Sequence, residues 1–161
     1  HSGTAAGVFT RLIDMGIEPF LIASSVSGVL AQRLVRINCT ACNEDYTPTP
    51  EAIAHASRLG VSLEQLQEHR PYRRGRGCDV CQGIGYRGRT AVGELLTMDE
   101  TLAELVLQRS RTRILHYTAV RGGMTTLLDN ALKKVFSGTT TLEELPSVVP
   151  PPLQASGEAD L

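Results

Sequence analysis

The chain has 161 residues, enough for one ordinary domain or for a core domain that carries a small inserted module. Its 16 Lys+Arg residues nearly balance its 17 Asp+Glu residues, and a formal net charge of -1 excludes attraction of the whole molecule to nucleic acid or to an acidic membrane. The longest apolar stretch, residues 20–31, is interrupted by serines and a glycine and is too short for a transmembrane segment, so a soluble protein is expected.

The first two predicted elements are helices. Apolar residues at helical spacing predict an amphipathic helix over residues 4–15 that ends at Gly16. Glu18 and Pro19 begin a second helix, and the apolar positions that continue to Leu34 predict a helix that is apolar on most sides and buried. A short strand is expected over residues 34–37.

Between the two cysteine pairs the sequence predicts short helices. Thr49 and Pro50 begin one that stops at Gly60, and Ser62 with Gln65 forms a capping box for another. After the second pair, the β-prone residues 90–96 (TAVGELL) predict a strand.

The remaining chain is predicted to be helical. Thr97 and Glu100 form a capping box for one helix, residues 111–120 a further helix, and residues 124–136 show the clearest helical periodicity in the chain. Thr141 and Glu144 form a box for a last short turn, after which Pro146 and residues 150–152 are expected to end regular structure, leaving a flexible tail.

The cysteine spacing indicates a metal site. Cys39 and Cys42 form one C-x-x-C turn, and Cys78 and Cys81 form another, followed by glycines that let backbone N–H groups approach the sulfurs. Two such turns complete a tetrahedral shell of thiolates. The pattern predicts one structural zinc ion, because four cysteine ligands leave no open position for catalysis.

Other interpretations of the cysteines remain open. Free thiols, disulfides or a redox C-x-x-C motif fit the composition, although the sequence shows no secretory leader and the cysteine usage suits a reducing compartment. His55 and His69 could compete as ligands, but they fall in predicted helices and are expected to be surface histidines.

Arginines are concentrated around the second cysteine pair. Six arginines lie within residues 70–89: Arg70, Arg73, Arg74, Arg76, Arg87 and Arg89. Asp79 is the only acidic residue in that span. One interpretation is a solvated face with some arginines packed on the protein's own carboxylates. The other is a docking surface for an acidic partner or for phosphate, with Arg73, Arg74, Arg76, Arg87 and Arg89 as the contact residues. Tyr72 and Tyr86 give little support for base stacking, so nucleic-acid binding is not expected.

Taken together, these segments resemble the C-terminal part of the type II secretion and type IV pilus assembly ATPases. The opening residues 1–36 resemble the family segment that starts at a histidine box and runs through the end of the ATPase core. CTAC and CDVCQGIGYRGRTAVGELL resemble its tetracysteine zinc module and the exit from it, and GMTTLLDNALKKVFSGTTTLEEL resembles its closing helices.

The resemblance implies a motor subunit that couples ATP hydrolysis to assembly of a pilus-like fibre. It implies a cytoplasmic protein in a hexameric ring, peripheral to the inner membrane through platform proteins. No G-x-x-x-x-G-K-[ST] loop occurs in this chain, so ATP and magnesium are expected only in a full-length parent, and the chain alone is not expected to hydrolyse ATP.

His1 is the residue that maps onto the histidine box, where the matching residue lies near the terminal phosphate of the nucleotide. The family follows that histidine with Thr-Asn, whereas this chain has Ser2 and Gly3. His1 is therefore either a remnant of a catalytic group or an ordinary exposed histidine. Because the chain begins at His1 without a polar lead-in, it is expected to be a piece of a longer protein.

The resulting prediction is an α+β, mainly helical fold in four parts. Residues 1–37 are the end of a RecA-like ATPase core, as the resemblance implies, residues 38–89 the zinc-binding module, residues 90–147 a helical subdomain, and residues 148–161 a flexible tail. A free-standing zinc ribbon that binds nucleic acid or protein is the alternative function, and a DnaJ-type chaperone zinc module, suggested by Gly83 and Gly85 after Cys81, is a more distant one.

Overall fold

The computed structural model describes residues 3–151, and these residues form an α+β fold. The helices are α1 (Gly7–Asp14), α2 (Pro19–Ser25), α3 (Pro50–Arg58), α4 (Leu63–Glu68), α5 (Glu100–Leu107), α6 (Thr112–Arg121), α7 (Leu127–Phe136) and α8 (Leu145–Val148). The strands are β1 (Gly28–Asn38), β2 (Asn43–Tyr46), β3 (Tyr72–Gly75) and β4 (Tyr86–Thr97), and short 3-10 turns span Thr40–Cys42, Asp79–Cys81 and Leu142–Glu144.

The strands form two nested antiparallel pairs. The long pair joins β1 to β4, from Gly28 opposite Thr97 to Asn38 opposite Tyr86, with one irregularity near Arg36. The short pair joins β2 to β3 directly beyond it. The chain therefore runs outward from the long pair along β1 and β2, reverses direction through α3 and α4, and runs back along β3 and β4.

Strand β1 corrects the prediction of a long second helix. Helix α2 ends at Ser25, whose neighbour Ser24 donates its hydroxyl to the backbone oxygen of Phe20 at 2.7 Å. From Gly28 onward the burial alternates with a period of two, as a strand requires. Leu30 and Leu34, which were predicted to be buried in a helix, are 62% and 51% exposed on the outer side of the long pair. Pairing with a distant segment outweighs the local helical spacing.

Several predicted helix ends are confirmed. Thr49 accepts the backbone N–H of Ala52 at the start of α3, and Ser62 accepts that of Gln65 at the start of α4. Residues 111–120 are helical nearly as expected, and α7 ends before Gly138, whose φ of 77° suits glycine at a helix end.

Other ends differ from the prediction. Asp99, rather than Thr97, caps α5 by accepting the N–H of Leu102 at 2.8 Å, because Thr97 still belongs to β4. Helix α7 begins at Leu127 with Thr126 as its cap, which leaves Met124 outside it.

The last predicted turn also differs, since Thr141 makes no side-chain cap. Its hydroxyl contacts that of Tyr86 instead, while Glu144 binds Arg36. Pro146 does not end regular structure, since it lies in the first turn of α8.

Two apolar cores pack against the inward face of the long strand pair. The α1–α5 core is built from α1, α2, α5 and α6 with the end of β4, and its large members include Phe9, Ile22, Leu96, Leu102, Val106 and Leu115. The α3–α7 core joins residues of the excursion between the cysteine pairs to the C-terminal helices, and its members include Ala56, Leu66, Tyr72, Leu127, Leu132, Leu142 and Leu145. Through residues 3–151 no helix combines the length and apolar character required to cross a bilayer.

A buried carboxylate lies where the two cores meet. Glu94 is 2% exposed and follows Val92 on the inward face of β4. Its two oxygens accept the backbone N–H of Ala5 at 2.7 Å, ahead of α1, and that of Leu127 at 3.0 Å, at the start of α7. Glu94 therefore accepts a backbone N–H that the first turn of α7 leaves without a helical partner, and it links the N-terminal segment to that helix.

Candidate metal centre

The two cysteine pairs lie at matching points of the nested strands. Cys39 and Cys42 occupy the turn from β1 to β2, and Cys78 and Cys81 occupy the turn from β3 to β4. Because both strand pairs are antiparallel, the outgoing and returning turns are brought side by side. The structure thus brings together all four cysteines that the sequence selected.

The sulfur spacing suits a tetrahedral metal ion. Sγ of Cys39 lies 3.9 Å from that of Cys78, Sγ of Cys42 lies 3.8 Å from that of Cys81, and all four lie within 4.8 Å of one another. Thiolates bound to zinc at about 2.3 Å in a tetrahedron lie roughly 3.8 Å apart. The four cysteines are free thiols, and these separations are far above the ~2.05 Å of a disulfide.

Backbone amides point at the sulfurs, which is the environment that thiolates require. Gly77 N donates to Sγ of Cys42 at 3.3 Å, while Sγ of Cys81 accepts from the amides of Cys78 at 3.2 Å and Gly85 at 3.3 Å. Such N–H···S contacts orient metal ligands and stabilise their negative charge. Of the glycines after the second pair, Gly83 instead donates to the carbonyl of Cys78, so its predicted approach to a sulfur is replaced by that of Gly77.

Glycine is required beside the second cysteine turn, where the end of β3 approaches the start of β4. Gly85 has φ of 79°, and a Cβ there would lie 2.3 Å from the carbonyl oxygen of Gly75. A Cβ on Gly75 would lie 1.9 Å from the carbonyl oxygen of Gly85. Both distances are below any real contact, so the strands approach this closely only because neither residue has a side chain.

The environment moves the pKa values of two thiols in opposite directions. Burial raises the pKa of Cys42 to about 11, against the smaller effect of the Gly77 amide. Burial also acts to raise the pKa of Cys81, but the amides of Cys78 and Gly85 together with neighbouring thiols outweigh it and lower that pKa to about 6. A metal ion that binds all four sulfurs must displace the remaining protons, so binding releases protons to solvent.

The family model for type II/IV secretion system proteins matches residues 1–147. The chain belongs to this family. The sequence resemblance stated above is thereby confirmed.

The chain is also similar to individual proteins named as type II secretion or type IV pilus assembly proteins. The chain is 43% identical over 145 residues to the type II secretion system ATPase E of Vibrio cholerae, covering 90% of this chain and 27% of the relative. It is 41% identical over 145 residues to the type IV pilus assembly ATPase PilB of Thermus thermophilus, covering 90% of this chain and 16% of the relative. It is also 41% identical to the type II secretion system protein E of Pseudomonas aeruginosa, covering 90% of this chain and 28% of the relative. The chain thus spans less than a third of the length of these relatives.

Within residues 3–151, the other predicted site residues do not join the sulfur cluster. His1 lies outside the described residues. His55 is half-buried with its Nδ1 unpaired, and His69 stacks on the ring of Phe136 at 3.7 Å between centroids, so neither is a ligand. Burial, with a smaller effect from the charge of Arg58, lowers the pKa of His55.

The arginines near the second cysteine pair divide into two groups. Arg73 and Arg74 on β3 pair with Asp45 at 2.5 Å and Glu44 at 3.1 Å on β2, so Asp79 is not their counter-charge. Arg76, Arg87 and Arg89 are exposed. Tyr72 is 3% exposed and cannot stack a base.

Polar clamps around the cluster were not predicted from sequence. Arg36 donates to the buried carboxylate of Glu144 from Nε at 3.0 Å and stacks over Tyr86 at 4.0 Å. The bond to Glu144 raises the pKa of Arg36 despite the opposing effect of burial. Asn38, next to Cys39, donates its amide to the carbonyls of Arg73 and Gly138. These contacts hold the cysteine turns against the segment after α7. No short-range sequence pattern predicts them, because the partners lie far apart in sequence.

Proposed function

We propose that this chain is a part of an ATPase that powers type II protein secretion or the assembly of type IV pili or pseudopili. Within that motor its four cysteines hold one structural zinc ion. The supporting observation is the convergence of the four sulfurs at tetrahedral spacing in a chain 41–43% identical to proteins named as such ATPases or as secretion protein E.

Zinc is the metal that this donor set suits best. Four thiolates with amide donors around them match structural zinc sites, and a full shell leaves no position for a substrate or a reactive water. When bound, zinc supplies positive charge that stabilises the thiolates. The chain's own residues do the rest: Gly75 and Gly85 let β3 and β4 approach closely beside the second turn, and Asn38 and Arg36 hold the cysteine turns against the C-terminal segment.

The division of the chain and its place in the motor are part of this proposal. Residues 1–37 are assigned to the end of a RecA-like ATPase core, residues 38–89 to the zinc module, residues 90–147 to a helical subdomain and residues 148–161 to a tail. ATP and magnesium bind in the full-length parent, where His1 belongs to the histidine box. The parent forms a hexameric ring in the cytoplasm, at the inner membrane through platform proteins.

In this proposal the arginines of the zinc module contact the docking partner. Arg73 and Arg74 form ion pairs with acidic residues of β2, so the charge that they present to a partner is partly neutralised. Arg76, Arg87 and Arg89 present exposed guanidinium groups around the second cysteine turn. An acidic surface of a platform protein or of a neighbouring subunit is the complementary partner.

Zinc content provides the first test. Elemental analysis of the purified chain is expected to give one zinc per chain, and Cys42→Ser and Cys81→Ser are expected to lower it sharply. Val80→Ser is the matched control, because Val80 is 50% exposed within the same turn and offers no ligand. A folded wild-type chain that contains no zinc and takes up none would contradict the metal assignment alone.

ATP hydrolysis provides the second test. The full-length parent is expected to hydrolyse ATP, while the isolated chain shows no activity and no tight nucleotide binding. A parent with intact zinc but no hydrolysis would contradict the motor assignment. Nucleic-acid binding that weakens steeply with salt would favour the free-standing zinc ribbon instead.

A further inference from the structure

The outward side of α6 carries apolar side chains that face solvent. Ile114, Tyr117 and Val120 are 47%, 61% and 38% exposed and recur at helical spacing. The opposite side of the same helix buries Leu115 and Ala119 in the α1–α5 core. Helix α6 is thus anchored on one side and presents a narrow apolar strip on the other.

Arginines surround this strip. Arg109, Arg111 and Arg113 cluster at the start of α6, and Arg121 at its end lies 5.8 Å from the ring of Tyr117. All four are exposed, and within residues 3–151 none of them forms an ion pair with a carboxylate. The surface is therefore locally basic in a chain with a net charge of -1, unlike β3, whose arginines have acidic partners.

A cavity opens beside the strip. It has a volume of about 420 Å³ and lies between α6, the start of α7 and residues 149–151. Its walls are mainly apolar, including Val120, Leu128 and Val149, and Arg113 stands among the lining residues. His116 also lines it, and its Nδ1 is buried without a hydrogen-bond partner in the described chain. A space of this size accepts one or two large side chains.

We propose that α6 and this cavity form a docking site for an acidic, apolar segment of a partner protein. A large apolar side chain of the partner enters the cavity, and flanking carboxylates pair with Arg113, Arg121 and the arginines at the start of α6. The site is separate from the cysteine turns and requires neither zinc nor ATP, so it goes beyond the proposed function.

The shape and lining select this occupant over other anions. A flat anionic bilayer could meet the arginines but could not fill a concave cavity beside them. Inorganic phosphate or a nucleic-acid backbone could neutralise the arginines but would leave the apolar walls exposed to water. An acidic segment with large apolar side chains satisfies both features at once.

The test uses a short fluorescein-labelled peptide in which leucine and phenylalanine are flanked by glutamates, titrated with the zinc-loaded chain and followed by fluorescence anisotropy. Saturable binding is expected, and Tyr117→Ala or the pair Arg113→Glu and Arg121→Glu should weaken it by roughly tenfold or more. Arg70→Glu and Lys133→Glu are the matched controls, since they reverse exposed cations that lie outside α6 and do not line the cavity, and they should change binding by less than about twofold. Circular dichroism and zinc content verify that each variant is folded.

Two peptide controls separate charge from apolar contact. Replacing the glutamates by glutamine, or the apolar residues by alanine, should each abolish most of the binding. Equal binding by either control peptide would overturn the proposal, and so would the absence of saturable binding to the wild-type chain.

Other occupants give different results, each of which overturns the proposal. Phosphatidylglycerol vesicles that bind with the same arginine dependence, while the peptide does not, indicate a membrane surface. A concentration-dependent dimer that the α6 variants abolish indicates a second copy of the chain. Peptide binding that appears only after truncation beyond Pro151, or that is lost in the full-length parent, indicates that the site is covered within the same polypeptide.

Discussion

The α1–α5 core and the cysteine cluster are held together by different means. The α1–α5 core buries large apolar side chains such as Phe9, Ile22 and Leu102. Around the sulfurs the buried cluster consists of Cys39, Cys42 and Cys81, with Cys78 packed against them. The first region can fold by excluding water from apolar surface, whereas the second has amide donors and close backbone contacts and, under the proposed function, depends on metal binding by its thiolates.

This difference predicts which region responds to metal removal. Strong chelation should release the turns and the short strand pair first, since zinc binding supplies on the order of 10 kcal/mol in small zinc-binding peptides. Hydrogen exchange measured by mass spectrometry should show early loss of protection in residues 39–46 and 72–86.

The α1–α5 core serves as the internal reference for that experiment. Protection in α1 and α5 should persist after chelation, because their contacts are apolar. Residues of α3 and α4 should exchange later than the cysteine turns, since Ala56 and Leu66 belong to the α3–α7 core. Exchange that begins in α1 or α7 would show that the metal does not act locally.

A substitution in the α1–α5 core should produce the converse result. Phe9 is fully buried, and Phe9→Ala should lower the free energy of unfolding by about 3–5 kcal/mol through loss of burial and creation of a cavity. Urea denaturation of the zinc-loaded chain measures the loss, while zinc content should remain unchanged. Phe20→Ala is the matched control, because Phe20 is 58% exposed and its truncation should cost far less.

A smaller effect is expected at the contact between the two cores. In Glu94→Gln the side chain keeps its shape but retains one acceptor oxygen for two buried amides, those of Ala5 and Leu127. An unsatisfied buried amide costs about 1–3 kcal/mol. Urea denaturation should show this loss, and the exchange of one or both amides should accelerate. Glu104→Gln on exposed α5 surface is the control, and equal losses in the two variants would refute the bridging role of Glu94.

The smallest effect concerns the surface ion pairs of the short strands. Arg74→Ala removes a partner of Glu44 at a site where both side chains are partly exposed, and it should change stability by about 0–1 kcal/mol. Thermal denaturation at low and high salt measures the change, with Arg76→Ala as the control. A loss similar to that of Phe9→Ala would mean that ion pairs, rather than the sulfur cluster, hold this region.

Short-range features of the fold could be predicted from sequence. The caps at Thr49 and Ser62 lie three residues from the amides they accept, and the periodicity of α7 is contained in a single helix. The C-x-x-C spacing likewise predicted that the four sulfurs converge, which the structure shows, whereas the zinc ion itself stays a prediction.

Features that depend on distant partners could not be predicted. The helical spacing of residues 20–34 did not reveal β1, because the partner residues in β4 (Tyr86–Thr97) lie about 50 to 70 positions further along the chain. The same limit applies to Glu94, whose partners are 89 and 33 positions away, and to Glu144, which binds Arg36 across 108 positions. Such pairs form only when the tertiary structure brings distant segments together, so no local sequence pattern predicts them.

The nesting of the strand pairs also leaves the loop length between the cysteine turns free to vary. Tyr46 and Tyr72 stand opposite each other, so the excursion closes on itself before it reaches the sulfurs. At its far end Gly60 lies in an exposed turn with open space around it, while its φ of 98° means that the glycine itself must be kept. Extra residues inserted there would add only a modest closure entropy and would leave the ligand positions unchanged. Gly60 is therefore the natural place to graft an affinity tag or a fluorescent label onto this protein.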